Sequence, residues 1–112
     1  MTNRRWHITR EGDTLTLARR LPAKMDVSAT TRLPDARRGR VAHQVRQDLW
    51  RALQSLRGFA PVVTVTRDAG GLIVEAGGEV AGAVPPGTKG RIADLLEDPV
   101  CRARWVAHGG RV

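Results

Sequence analysis

The sequence predicts an α+β fold in which helices cover one face of an antiparallel β-sheet. Two segments alternate apolar and polar residues on both sides of a glycine-containing turn, which is typical of β-hairpins. Two other segments carry apolar residues at helical spacing. The chain has no regular strand–helix–strand alternation, so a parallel sheet is not expected.

The first hairpin is predicted from residues 6–10 and 14–18, joined by a turn at Gly12 and Asp13. Apolar residues recur at every second position on both sides of this turn. The pattern predicts that four side chains share one buried face of the sheet: Trp6, Ile8, Leu15 and Leu17.

The second hairpin is predicted from residues 63–67 and 72–75, and it resembles the first one when the chain is shifted by 57 positions. Residues 25–33 are a weaker third strand of the first half, and residues 79–84 could be its counterpart. Each half would then follow the order β-β-β-α, as an internal pseudo-repeat of 1–57 and 58–112 within a single domain, 1–112. The alternative is that hairpins resemble one another because turns and strands use few residue types.

A long amphipathic helix is predicted between Asp35, as its N-cap, and Arg57, with Gly58 ending it. Its apolar stripe, which should pack on the sheet, consists of Val41, Val45, Leu49, Ala52, Leu53 and Leu56. A second helical region begins near residue 88, breaks at Asp98-Pro99 and resumes over 100–107. The opposite sheet face should be open to solvent or a flat partner, and it carries Thr9, Thr14, Thr16, Thr64, Thr66, Ile73 and Glu75.

The composition indicates a globular protein, with 41% hydrophobic and 27% charged residues in 112. The only cysteine, Cys101, excludes an intramolecular disulfide and fits a reducing, cytoplasmic compartment. The chain has no signal-peptide pattern, and no segment approaches the roughly 18 apolar residues that a membrane span needs. We therefore expect neither secretion nor membrane association.

The net charge of +8 favours a polyanionic partner, and nucleic acid is the most abundant polyanion of the cytoplasm. Nearly all the positive residues are arginine, as codon bias in a GC-rich bacterial genome produces. Such bias explains arginine in place of lysine, but it does not explain 19 positive residues against 11 negative ones.

The long helix supplies the candidate binding residues. His43, Gln47 and Trp50 recur on the side opposite the apolar stripe, which predicts an exposed Trp50. The tryptophan ring could stack on bases or anchor a protein partner, and nearby arginines could contact phosphates. The candidate set is Arg37, Arg38, Arg40, His43, Arg46, Gln47, Trp50 and Arg51. The alternative for Trp50 is packing under a loop, and for the arginines a solvated charged face.

No pattern of catalytic, cofactor or metal-ligating residues is present. The three histidines are far apart in sequence and Cys101 has no neighbouring ligand, so no metal site, no cofactor and no enzymatic activity are expected.

Two functions are consistent with the sequence. The first is a nucleic-acid-binding or nucleoprotein-associated protein. The second is a protein-interaction module, an accessory subunit or inhibitor, that docks on an acidic partner through Trp50 or the open sheet face. A homo-oligomer is compatible with both, and Trp105 either packs on the core or joins Trp50.

Overall fold

The computed structural model describes residues 6–110, and within them five strands and three helices follow the chain order β-β-β-α-β-β-α-α. The strands are β1 His7–Glu11, β2 Thr14–Ala18, β3 Val27–Leu33, β4 Ala60–Asp68 and β5 Gly71–Glu79. The helices are α1 Arg38–Leu53, α2 Thr88–Glu97 and α3 Pro99–Gly109.

All strand pairs are antiparallel, and the strands lie in the order β1-β2-β4-β5-β3. The first hairpin turns through Gly12 and Asp13, and Gly12 has the positive φ of 58° that the first position of a type II′ turn needs. The second hairpin, β4–β5, joins the first through the β2–β4 pair. Both predicted hairpins are confirmed.

The helices pack against one face of this sheet, so the predicted α+β class is confirmed. α1 lies on β2 and β4, α2 packs on β3, and α3 packs on α1. Alternate residues of the strands point at the helices and are buried, as Leu15 and Leu17 of β2 illustrate. The predicted apolar stripe of α1 supplies Val41, Val45, Leu49 and Leu53 to the same core, each fully buried.

The other sheet face carries cross-strand rows of polar side chains, as the alternation predicts. The hydroxyl oxygens of Thr14 and Thr66, on the paired strands β2 and β4, lie 2.8 Å apart. The Ser28 hydroxyl of β3 donates to the Glu75 carboxylate of β5 at 2.8 Å. These pairs satisfy polar groups between adjacent strands of the uncovered face.

The first helix is shorter than predicted at both ends. It begins at Arg38 and ends at Leu53, and its N-cap is Arg37, which makes no side-chain capping bond. Asp35 is not the cap, because its carboxylate accepts a hydrogen bond from Nε of Arg67 at 2.8 Å. A contact 32 residues away in sequence has replaced the local capping bond.

The prediction that Ile8 is buried with Leu15 and Leu17 is wrong, because 41% of Ile8 is exposed. Its strand, β1, is the edge of the sheet, and α1 lies over β2 and β4 instead. Trp6 is expected to be buried on the same face; it packs against the core cluster but is only partly buried.

The expected third strand over residues 79–84 does not form. β5 runs on to Glu79, and the chain then turns at Gly82, whose φ is +76°, before Pro85 and Pro86, which cannot donate to a strand ladder. The second half therefore has the order β-β-α-α, without the strand that would complete the pseudo-repeat.

The second helical region breaks at the predicted position. Asp98 ends α2 and caps α3, because its carboxylate accepts hydrogen bonds from the amides of Val100 at 2.9 Å and Cys101 at 3.0 Å. These amides, with the Cys101 bond the larger effect, hold the pKa of Asp98 below its ordinary value. Over residues 6–110, none of the helices has the length and apolar character needed to cross a membrane.

Candidate functional site

A groove of about 660 Å³ opens where the free end of the first hairpin meets the side of α1. Its lining comes from the start of β1, from residues that flank the open end of the hairpin, from α1, and from the chain at the start of β4. The lining residues are Trp6, His7, Arg19, Arg20, Arg46, Trp50, Phe59 and Pro61.

The hairpin register brings the first part of this groove together. His7 pairs with Ala18, so one further step along the antiparallel ladder places Trp6 across from Arg19. The backbone amide of Arg19 also donates to the Pro61 carbonyl at 3.3 Å, which ties this end of the hairpin to β4.

Trp6 holds two guanidinium groups by cation–π contacts. The guanidinium carbon of Arg46 lies 4.6 Å from the centre of the Trp6 ring, and that of Arg19 lies 5.3 Å from it. Such contacts contribute about 0.5 to 2 kcal/mol each, depending on how far the cation is desolvated. An aromatic ring therefore positions both arginines, and its contact with them leaves their charges uncompensated.

The groove concentrates positive charge. Burial, and then the nearby charge of Arg19, lower the pKa of Arg46 from its ordinary value. Nε of Arg46 is buried and finds no hydrogen-bond acceptor among residues 6–110. Among the same described residues, none that lines the groove is Asp or Glu. The remaining seven residues of the sequence, 1–5 and 111–112, include no acidic residue either. The groove thus provides cationic donors that lack an anionic partner.

An exposed aromatic surface lies next to these cations. Trp50 is 42% exposed, and its ring stacks nearly parallel on Phe59, with 6.4 Å between ring centres and 4° between planes. Phe59 is buried, so it supports the Trp50 ring from the protein side. Arg46 and Trp50 are four residues apart on α1 and lie on the same side of the helix. The groove therefore places a flat ring beside a guanidinium.

His43 lies one turn before Arg46 on the same helix. Burial, followed by the charge of Arg46, lowers the pKa of His43 from its ordinary value. Both effects favour the neutral imidazole over a further positive charge on this side of α1.

The structure divides the predicted set of helix residues. It places Arg46 and Trp50 in the groove lining, where Trp50 is exposed as predicted, and His43 is close enough to Arg46 to sense its charge. The other members of the set do not line the groove: Arg37, Arg38, Arg40, His43, Gln47 and Arg51. The amide of Arg37 donates to the Gly109 carbonyl, and Nη1 of Arg51 lies 3.8 Å from the Asp48 carboxylate.

Asp48, the only acidic residue of α1, is buried on the core side of the helix and contacts α3. Its buried carboxylate accepts a hydrogen bond from the indole nitrogen of Trp105 at 2.7 Å and lies 3.0 Å from Nη1 of Arg104. Trp105 is fully buried, so of the two alternatives for this residue the structure has core packing, away from Trp50.

Sequence reasoning missed most of the groove. The residues not predicted as part of a site are Trp6, His7, Arg19, Arg20, Phe59 and Pro61. One signal was present in the sequence: a two-residue turn at Gly12 and Asp13 fixes the hairpin register, and that register alone sets Trp6 across from Arg19.

No protein-family model, curated protein or solved structure matches the chain. Within the described part of the chain, no three His, Cys, Asp or Glu side chains come together in a group that could hold a metal ion.

Proposed function

We propose that this protein binds single-stranded nucleic acid in the groove, as a non-enzymatic protein of the bacterial cytoplasm. The observation that carries the proposal is the convergence of Arg19 and Arg46 on the Trp6 ring, without a carboxylate among the described lining residues, beside the exposed ring of Trp50. Proteins that bind single strands combine these two elements, cations for the phosphates and aromatic rings on which bases stack.

The exposed ring favours a single strand over a duplex. In a duplex each base is already stacked on its neighbours and its faces are not accessible, whereas a single strand can place a base face on Trp50. The groove is also concave, and the chain shows none of the sequence patterns of helix-turn-helix or zinc-finger domains that read duplex grooves.

An acidic protein is the competing partner, since it would meet the same cations. It would depend on the charges of Arg19 and Arg46 but would have no base to stack on Trp50. The two partners therefore differ in what the Trp50 ring contributes to binding. Nucleic acid would use both the arginines and this ring.

The proposal is tested by fluorescence anisotropy with a labelled single strand of about 12 nucleotides, compared with a blunt duplex of the same length. We expect micromolar binding of the single strand at about 50 mM salt, weakening about sevenfold at about 200 mM because two phosphates are neutralised, and weaker binding of the duplex. Arg19→Gln and Arg46→Gln should each reduce affinity and flatten the salt dependence.

Lys89→Gln is the matched control, because it removes one exposed positive charge from α2, which packs on β3 at the other edge of the sheet. If Lys89→Gln weakens binding as much as Arg46→Gln does, the interaction is a general charge effect and the groove is not its site. Absence of binding by any oligonucleotide at low salt would contradict the proposal and leave the acidic protein partner.

A further inference from the structure

We infer that the groove recognises the end of a strand, a terminal nucleotide that carries a phosphomonoester. This inference rests on the proposed function and specifies its ligand. It follows from the charge of the groove, from its size and from the arrangement of its donors.

The charge of the groove matches a terminal phosphate better than an internal one. An internal phosphodiester carries one negative charge, whereas a terminal phosphomonoester carries about −1.5 to −2 near neutral pH and has three acceptor oxygens. Two guanidinium groups, those of Arg19 and Arg46, converge on one ring in the groove. Two guanidinium groups in one small groove suit a dianion.

The donors of Arg46 support the same ligand. Its Nε is buried and has no acceptor among the described residues. A guanidinium binds phosphate most strongly through two parallel N–H donors. Because the enclosed Nε cannot reach a ligand, a phosphate in the groove would accept from the Nη donors of Arg46 while a second oxygen faces Arg19, which lines the same groove.

The size of the groove indicates one nucleotide rather than a continuous track. Its volume of about 660 Å³ lies within the range of small-molecule pockets, about 300 to 1,000 Å³. Proteins that bind along a strand use sites of about 4 to 16 nucleotides for each domain. In this groove the phosphate site and the stacking ring are adjacent, because Arg46 and Trp50 are separated by one helical turn. This is the arrangement that one nucleotide with its own phosphate requires.

Pre-organisation favours tight binding of such an end. Trp6 already holds both guanidiniums in place, and the buried Phe59 ring supports Trp50. Little side-chain entropy then remains to be lost when the terminal nucleotide binds.

The experiment compares probes of one sequence, about 8 nucleotides long, that differ only at their ends. They carry a 5′-phosphate, a 3′-phosphate or hydroxyls at both ends, and adenosine 5′-monophosphate is measured as a free nucleotide. We expect one phosphorylated end to bind about tenfold more tightly than the hydroxyl strand, and the free nucleotide to bind more weakly than the phosphorylated strand. The advantage of the phosphate should be lost in Arg46→Gln and kept in Lys89→Gln. Arg19→Gln provides a second test if Arg46→Gln does not fold.

Each other outcome has a definite meaning. Equal affinity for phosphorylated and hydroxyl strands overturns the inference and leaves the single-strand proposal intact. Absence of binding by every probe overturns both. Binding of adenosine 5′-monophosphate as tight as that of the phosphorylated strand identifies a free nucleotide as the ligand and overturns the assignment to a strand end.

Discussion

The guanidinium of Arg46 lies 4.6 Å from the centre of the Trp6 ring, and this contact joins α1 to the first residue that the structure describes. The contact has two consequences. It fixes the open end of the first hairpin against the helix, and it holds a partly buried cation at the surface without neutralising it. The same pair therefore contributes to the fold and supplies two of the residues that line the proposed binding groove.

Replacement of Trp50 tests whether a base stacks on its ring. Trp50→Ala should weaken binding of a single strand about tenfold, because one base–aromatic stack contributes about 1 to 3 kcal/mol. Trp50→Phe keeps an aromatic face and should retain most of the affinity. Anisotropy titrations at one salt concentration measure both variants, and urea denaturation checks that each is folded. Equal affinities of Trp50→Ala and the unchanged protein would remove the ring from the binding site.

The titration of His43 reports on Arg46. The pKa of His43 is lowered in the folded protein, by burial and by the Arg46 charge. At a pH between the folded and the unfolded pKa, the folded protein therefore binds fewer protons than the unfolded chain. The resulting contribution to stability is present above the unfolded pKa, 6.5, and is lost as the pH falls through the lower folded pKa. Arg46→Gln removes one of the two causes, so the pKa of His43 should rise.

NMR titration of the imidazole proton resonances, assigned with His43→Gln, measures this pKa. A phosphate bound at Arg46 should also raise the pKa of His43, since it offsets the nearby positive charge. A pKa that is unchanged in Arg46→Gln would show that the two side chains are not electrostatically coupled.

The Asp48 carboxylate should be the most important polar group of the core. Asp48→Ala leaves the buried indole nitrogen of Trp105 without its acceptor and separates Arg104 from its partner, so we expect the free energy of unfolding to fall by about 3 kcal/mol. Asp48→Asn keeps an acceptor and should cost less. The matched control is Asp94→Ala on the exposed side of α2, with an expected change within about 0.5 kcal/mol.

Urea denaturation measures these three variants under one set of conditions. A loss for Asp48→Ala no greater than that for Asp94→Ala would mean that the Asp48–Trp105 bond does not stabilise the fold.

Gly77 is required by the close approach of β3 and β5. A methyl group there would lie 1.9 Å from the Val27 carbonyl oxygen and 2.7 Å from the Cα of Ser28, both backbone atoms that cannot move aside cheaply. Gly77→Ala should therefore lower the free energy of unfolding by at least about 2 kcal/mol. Gly90→Ala, in α2 with open space around it, should raise it by up to about 1 kcal/mol.

Thermal denaturation of the two alanine variants should thus give shifts of opposite sign. A Gly77→Ala protein as stable as the unchanged one would contradict the observed register of β3 on β5, in which Ser28 is opposite Gly77.

The sequence was sufficient for the parts of the fold that local patterns determine. Both hairpins follow from alternation around glycine turns, and the break between α2 and α3 follows from Asp98 and Pro99. The start of α1 could not be predicted in this way. Asp35 has the sequence context of a cap, but Arg67, which is remote in sequence, binds its carboxylate. Local propensity was overridden by a tertiary contact.

The candidate site was predictable only in part, for the same reason. Helical spacing identified Trp50 and grouped it with arginines of α1, and Trp50 is exposed. Spacing on one helix could not show that Asp48 is buried with Trp105. Nor could it show that Arg46 meets Trp6 from the hairpin, since that contact depends on how α1 crosses the sheet.

The most direct test of the binding groove uses the indole N–H resonances of the three tryptophans in a 15N-labelled sample. Trp6 and Trp50 line the groove, whereas Trp105 is buried and donates to Asp48, so it serves as an internal control. On addition of a 5′-phosphorylated single strand, we predict that the Trp6 and Trp50 resonances shift together with one dissociation constant while the Trp105 resonance stays in place. Binding that leaves both groove resonances unchanged would contradict the central claim.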